Sequence, residues 1–171
     1  MPLADEESAQ KTQHGREGAG ATLQVSTEAL DERMLEALHG ASDKKALDLQ
    51  ALDLREVATF TDFFLIASGT NARQVQAIAD EIVERLKILG TRPARVEGYN
   101  AAEWVLVDYG DFIVHVFEEK SRRFYDLERL WRDAARVQLP PELTGAATTG
   151  GAGGETGSRG SGGEGSLRRE S

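Results

Sequence analysis

Two apolar runs joined by a short polar connection constrain the fold of this chain more than any other feature. The stretch is W-V-L-V-D-Y-G-D-F-I-V-H-V-F, from Trp104 to Phe117, and it predicts a β-hairpin whose turn uses Gly110 for its positive φ. Alternate side chains of the second strand point to opposite faces, and both sets are largely apolar: Phe112, Val114 and Val116 against Ile113, His115 and Phe117. This strand is therefore expected to be central and covered on both faces, or covered once and facing a partner.

Helical and extended patterns alternate through the rest of residues 26–137. S-T-E-A-L-D-E-R-M-L-E-A-L-H predicts a first helix capped by Ser26 or Thr27, and a short helical piece is expected at Ser42–Ala46. Strands are expected near Leu49–Leu54, at F-F-L-I-A-S and within R-P-A-R-V-E-G-Y.

Two further helices complete the pattern. The clearest is capped by Thr70 or Asn71, repeats apolar residues every three or four positions and ends at Gly90. The last is S-R-R-F-Y-D-L-E-R-L-W-R-D-A-A-R, with an apolar side formed by Phe124, Leu127, Leu130 and Trp131. The predicted architecture is α/β, a two-layer domain with a mixed β-sheet and flanking helices.

Composition divides the chain into three parts. Of the 18 glycines, 10 follow residue 137, and both ends of the chain have too few apolar side chains to offset the entropy of ordering. We expect a flexible N-terminal tail over 1–25, one domain over 26–137 and a disordered Gly-rich tail over 138–171. The start has no secretory signal and no segment approaches roughly 18 apolar residues, so a soluble cytoplasmic protein without membrane association is expected.

Charge and cysteine content argue against several classes of function. The net charge is −9, and residues 43–137 carry 17 acidic and 14 basic side chains. This balance disfavours nucleic-acid binding as the main activity and suits a basic protein partner. The absence of cysteine excludes disulfides, thiolate metal sites and a cysteine nucleophile.

The hairpin also carries polar residues that an active site would need. His115 shares it with Asp108 and Asp111, but no H-x-x-H or His–carboxylate spacing predicts a metal site. A Ser–His–Asp triad with Ser68 lacks the G-x-S-x-G turn. Two turn aspartates and one hydrogen-bonded core histidine are expected instead, with no metal and no cofactor.

A second candidate for a ligand-binding or catalytic site lies between a strand and the clearest helix, in the segment A-S-G-T-N-A-R. Small residues at a helix N-terminus can bind an anion, but this segment is neither G-x-G-x-x-G nor a P-loop. A nucleotidyltransferase would also need paired carboxylates for Mg²⁺, and Asp80 and Glu81 come only two turns into the helix. A helix cap is therefore expected here, and an enzyme is not.

Three motif runs resemble those of the bacterial ribosomal silencing factor (RsfS/Iojap) family. They are T-D-F-F-L-I-A-S-G-T-N-A-R-Q-V-Q-A-I-A-D, R-V-E-G-Y-N-A-A-E-W-V-L-V-D-Y-G-D-F-I-V-H-V-F and S-R-R-F-Y-D-L-E-R-L-W, at family spacing from about Lys45 to Asp133. The resemblance implies a nucleotidyltransferase-like fold without catalysis. It also implies binding to the large ribosomal subunit through its fourteenth protein (uL-fourteen), which blocks subunit joining and represses translation when nutrients are scarce. A large-subunit assembly factor and a nucleotide-binding enzyme are the alternatives, and a homodimer is a further hypothesis.

The resemblance gives functional weight to Trp104 and to the polar residues near it. Partner contacts are predicted for six residues: Trp104, Asp62, Glu97, His115, Arg123 and Tyr125. Trp104 is expected to be the central anchor, since aromatic and arginine side chains dominate such surfaces, with an ordinary core position as the alternative. Arg122 and Arg123 are expected to open the last helix, where they oppose its dipole. At least one of them is therefore expected to pair with a carboxylate such as Asp108 or Asp111, or with the ribosome.

Overall fold

A mixed β-sheet of seven strands runs through residues 23–144, the part of the chain that this computed structural model describes. The strands are β1 (Gln24–Val25), β2 (Leu47–Asp53), β3 (Phe63–Gly69), β4 (Arg95–Glu97), β5 (Trp104–Asp108), β6 (Phe112–Glu118) and β7 (Ala135–Val137). The helices are α1 (Glu32–Asp43), α2 (Ala72–Ile88), α3 (Glu119–Tyr125), α4 (Leu127–Leu130) and α5 (Pro141–Thr144).

The strand order is β1-β7-β2-β3-β6-β5-β4. The central strands β3 and β6 are parallel, and β2 and β5 flank them as antiparallel neighbours. A parallel pair needs a crossover connection. Here the chain runs from β3 through α2, β4 and β5 before it enters β6. The predicted α/β architecture with a mixed sheet is confirmed.

The two faces of the sheet form separate cores. On the first face, β3, β5 and β6 contribute Leu65, Val107 and Val114 to a cluster that α1 and α2 cover. On the second face, Phe64, Ile113 and other residues pack under the shorter segment that contains α3 and α4. The prediction that β6 is central and covered on both faces is confirmed, because each set of its alternating side chains enters a different core.

Capping side chains decide where the first two long helices begin. Asn71 accepts a hydrogen bond from the N–H of Gln74 at 2.8 Å, as an N-cap does, and α2 gives way to a turn in which Gly90 adopts a φ of +88°. Ser26 caps only a 3₁₀ turn at Thr27–Ala29, so the predicted start of the first helix was wrong. The helix α1 is instead capped by Asp31, which accepts from the N–H of Met34.

Two other helical predictions were also wrong. At Ser42–Ala46, the first two residues end α1 and the next two form a turn, so no separate helix forms. The predicted last helix is divided at Asp126, which has a φ of +47°, into α3 and α4. Its end becomes strand β7, because Ala135 and Arg136 pair with β2 and extend the sheet.

The predicted domain limits of 26 and 137 remain a prediction. Strand β1 precedes the first limit and helix α5 follows the second. Most of the two predicted tails, residues 1–22 and 145–171, lies outside the described residues.

Candidate functional site

A continuous series of aromatic side chains crosses the second face of the sheet. Neighbouring ring centroids are 4.4 to 5.9 Å apart, which is the range of direct aromatic contact. We call this series the aromatic row, and its members in spatial order are Phe60, Trp131, Phe64, His115, Trp104, Tyr125 and Phe124.

The aromatic row is buried at its centre and exposed at its ends. Phe64 and His115 are buried, and Phe60 at one end is 57% exposed. At the other end Phe124 is 79% exposed and Tyr125 is 49% exposed, and we call this the exposed end of the aromatic row. Leu130 of α4, which is 72% exposed, adds to this apolar surface. The two short helices cover only part of the sheet face, and exposed apolar patches of this kind mark interaction sites.

Trp104 is both a support and a surface residue. It is half-buried at the start of β5, its ring contacts Phe117 at 4.9 Å, and its indole Nε1–H donates to Nδ1 of His115 at 3.0 Å. Gly98, with a φ of +79°, allows the preceding turn to approach closely, since a Cβ there would lie 2.2 Å from the carbonyl oxygen of Trp104. Any larger residue at this position would displace Trp104 or the turn.

His115 lies almost entirely inside the protein. Only 3% of its surface is exposed, and burial lowers its pKa from 6.5 to about 3, an effect that the charge of Asp108 opposes only in part. Its Nε2 is buried and makes no hydrogen bond to any residue in 23–144. The expectation of a hydrogen-bonded core histidine is confirmed, and His115 presents almost no surface to a partner.

The structure brings together three of the six predicted contact residues and leaves two more exposed on neighbouring elements. Trp104, His115 and Tyr125 belong to the aromatic row. Glu97 is exposed on β4, opposite Leu106 and on the same sheet face as Trp104, and it pairs with Arg95 at 3.2 Å. Arg123 is exposed on α3 beside Phe124.

Asp62 lies away from the other five predicted residues. It is exposed at the start of β3, and its backbone N–H donates to the carbonyl of Asp111 at the far end of β6. Trp104 pairs with Phe117 at the opposite end of that strand. The stretch of chain from Asp111 to Phe117 is roughly 20 Å long.

Arg122 has the internal partner that was expected, but the predicted carboxylates were wrong. Arg122 and Arg123 lie in the last turn of α3, so the prediction that they open a helix was wrong. Arg122 is buried there, its Nη2 contacts Glu128 at 2.6 Å and its Nη1 donates to Ser68 at 2.7 Å. Asp108 and Asp111 pair with other arginines instead. The turn at Asp126 brings Glu128 back towards Arg122, and helical periodicity could not predict that contact.

The exposure of Phe124 and Leu130 was also missed by sequence reasoning. Their spacing with Leu127 and Trp131 predicted one buried helical side. Because the helix is divided at Asp126, Leu127 and Trp131 pack on the sheet whereas Phe124 and Leu130 face outward. The R-x-F-Y run of the family resemblance was the only available signal for Phe124.

The strand-to-helix turn before α2 is filled by its own side chains. The carboxamide oxygen of Gln74 accepts from the N–H of Thr70 at 2.7 Å, and its amide nitrogen donates to the carbonyls of Lys44 and Lys45 at 3.0 Å. With the cap from Asn71, this arrangement confirms the expected helix cap. Within residues 23–144 no cluster of three or more acidic or histidine side chains is arranged for a metal ion, and no helix has the length and hydrophobicity to cross a bilayer.

Comparisons with known proteins agree on one family. The family model described as "Ribosomal silencing factor during starvation" (RsfS) matches residues 27–158. A Halalkalibacterium halodurans protein named ribosomal silencing factor RsfS is 45% identical over 103 residues, which cover 60% of this chain and 88% of that protein. A mouse protein named mitochondrial assembly of ribosomal large subunit protein 1 is 32% identical over 91 residues, 52% of this chain and 40% of its own length.

A solved structure supports the same assignment. The crystal structure of a Chromobacterium violaceum protein matches with a TM-score of 0.58 and 35% identity, over 68% of this chain and 94% of that one. The family model covers most of the chain, and the similar structure shares both sequence and fold. The chain therefore belongs to the RsfS family of ribosomal silencing factors.

Proposed function

We propose that this protein represses translation by binding the large ribosomal subunit through uL-fourteen and sterically blocking the small subunit. The observation that carries the proposal is the exposed end of the aromatic row, where Trp104, Tyr125 and Phe124 form a supported apolar surface. Family membership supplies the ribosomal context. Competitive exclusion makes and breaks no bond, so the protein acts as a non-enzymatic regulator in the cytoplasm, chiefly under nutrient limitation.

The shape of the surface suits a protein partner. Two grooves of about 490 and 340 Å³ flank Phe124 and Tyr125. Aromatic side chains that project between grooves are typical interface anchors, and charged rims surround them. Trp104 supports the centre from below, and Glu97 and Arg123 are exposed on the neighbouring elements β4 and α3.

The predicted contact by Asp62 sets a size for the interface. A standard interface buries about 800 Å² on each partner, which corresponds to a patch roughly 30 Å across. A patch of that size centred on Trp104 extends roughly 15 Å from its centre and does not reach Asp62, so a contact there requires a larger or off-centre interface. The contribution of Asp62 therefore reports how far the partner extends along the sheet.

Sedimentation of purified large and small subunits tests the proposal. Wild-type protein is expected to co-sediment with large subunits and to reduce the joined particle, whereas Trp104→Ala and Phe124→Ala bind weakly. Ile88→Ala is the matched control, because Ile88 is 76% exposed on α2, the helix that covers the other face of the sheet. Failure of wild-type protein to bind large subunits, or equal loss in the control, would contradict the proposal.

A role in large-subunit assembly is the second candidate. The mouse relative is named for assembly of that subunit, and an assembly factor would use the same docking surface. Comparison of affinities for immature and finished large subunits separates the two functions. A silencing factor binds finished subunits at least as tightly, whereas an assembly factor prefers immature ones.

Self-association through the exposed apolar end is a hypothesis that follows from the same surface. A homodimer that buried Phe124 and Leu130 would compete with ribosome binding. Sedimentation equilibrium at micromolar concentration would show a dimer that Leu130→Asp dissociates. A wild-type monomer under those conditions would rule the dimer out.

A further inference from the structure

Beneath the exposed end of the aromatic row, a buried imidazole accepts a hydrogen bond from Trp104. His115 lies on β6 and Trp104 on the neighbouring strand β5, and Nε1 of the indole is 3.0 Å from Nδ1 of the imidazole. An indole N–H is a donor only, so the accepting Nδ1 carries no proton. The imidazole is therefore the neutral tautomer with its proton on Nε2.

Packing alone does not explain a histidine at this position. Its neighbours on the second face are apolar or aromatic, with the ring of Phe64 at 4.4 Å in a T-shaped contact. The buried Nε2 has no hydrogen bond within residues 23–144, and an unpaired buried donor is costly. The hydrogen bond from Trp104 is the polar contact that distinguishes this histidine from an aromatic hydrocarbon of similar size.

Trp104 is in contact with the exposed residues. Its ring contacts Tyr125 at 4.8 Å, and Tyr125 contacts Phe124 at 5.0 Å. We propose that His115 is a positioning residue, which holds Trp104 in the rotamer that supports Tyr125 and Phe124 for docking. The consequence for binding rests on the proposed function, whereas the orientation of Trp104 can be measured without a ribosome.

NMR of the full chain tests the orientation directly. The chain has two tryptophans, so Trp131→Phe assigns the indole signal of Trp104. In wild-type protein, ¹⁵N shifts are expected to show a protonated Nε2 and an unprotonated Nδ1 in His115, and the indole N–H of Trp104 is expected to exchange slowly with solvent. A protonated Nδ1, or fast exchange, would overturn the proposal, and neither measurement requires a variant of His115.

Two variants extend the NMR test. His115→Phe keeps a ring but removes the acceptor, and it is expected to accelerate exchange of the Trp104 indole N–H at least tenfold. His115→Gln retains a carbonyl acceptor and is expected to restore part of the protection. Equal exchange in wild-type protein and folded His115→Phe would show that the hydrogen bond does not hold the indole.

A double-mutant cycle then tests the effect on large-subunit binding. Trp104→Phe keeps an aromatic ring and removes the N–H. We expect His115→Phe to weaken binding about fivefold when Trp104 is present, and less than twofold in the Trp104→Phe background. Equal losses in both backgrounds would assign His115 a different role. If wild-type protein binds no large subunits, the proposed function fails, while the NMR result still decides the positioning role.

Discussion

Acidification from pH 7 to pH 5 is expected to destabilise this protein through a single buried side chain, His115. In the unfolded chain its imidazole has an ordinary pKa of 6.5, whereas burial lowers that pKa to about 3 in the folded protein. Between these two values the unfolded state binds a proton that the folded state does not. Acid therefore favours unfolding, and the stability contributed by neutral His115 is lost progressively as the pH falls below about 6.5.

The magnitude follows from the two pKa values of His115. Integration of the proton-binding difference gives a loss of somewhat under about 1 kcal/mol at pH 6 and about 2 kcal/mol at pH 5, relative to pH 7. The next unit costs about 1 kcal/mol more, and the slope declines as the pH approaches the folded pKa of about 3. The carboxyls of Asp31 and Asp53 have lowered pKa values, so their contributions are lost only below about pH 4, outside this window.

Urea denaturation followed by far-ultraviolet circular dichroism measures this loss. At pH 7, 6 and 5, the free energy of unfolding is compared between wild-type protein and His115→Gln, which cannot titrate at this position. A loss of 2 kcal/mol corresponds to a midpoint shift of roughly 1 M urea. Every other titrating group is common to both proteins, so equal pH dependence in the two would refute the assignment of a depressed pKa to His115.

Three further predictions test contacts that stabilise the site and the fold around it. Gly98→Ala is expected to lower the free energy of unfolding by about 3 kcal/mol or more, because its Cβ would meet the carbonyl oxygen of Trp104. The control Gly110→Ala meets nothing within 4 Å and should lower it by only about 1–2 kcal/mol through backbone strain, so similar urea midpoints for the two variants would contradict this reasoning. Arg122→Met leaves the mostly buried carboxylate of Glu128 unpaired and should lower the free energy of unfolding by about 3 kcal/mol, seen as a fall of roughly 10 °C in Tm. An unchanged Tm would contradict this prediction. Asn71→Ala removes the N-cap of α2 and should lower the free energy of unfolding, measured by urea denaturation, by about 1 kcal/mol. Asn71→Asp keeps an accepting side-chain oxygen and should retain most of the stability.

The elements that were predicted correctly have strong local signals. The helix α2 has a capping residue, an apolar stripe and a terminating glycine, all of which act within a few residues of one another. The two strands of the hairpin are short apolar runs joined by a turn that contains Gly110. Such signals survive in the folded protein because tertiary packing uses the same apolar faces that the patterns define.

The end of the domain was predicted poorly because distant residues decide it. Periodicity favoured one helix from residue 121 to residue 136. Instead, Arg122 binds Ser68 of β3, and Arg136 lies opposite Leu52 of β2. These contacts join residues that are 54 and 84 positions apart in sequence, and no local propensity encodes them.

Sequence alone therefore determined the α/β class, the central hairpin, the long helix α2 and, through its motif runs, the RsfS family. Only the tertiary structure decided that Trp104 is half-buried, that His115 is buried beneath it, and that Phe124 and Tyr125 project from a divided helix. The physical reason is that hydrophobic periodicity specifies which side chains leave water, whereas exposure of a particular aromatic ring depends on how much of a sheet face the neighbouring elements cover.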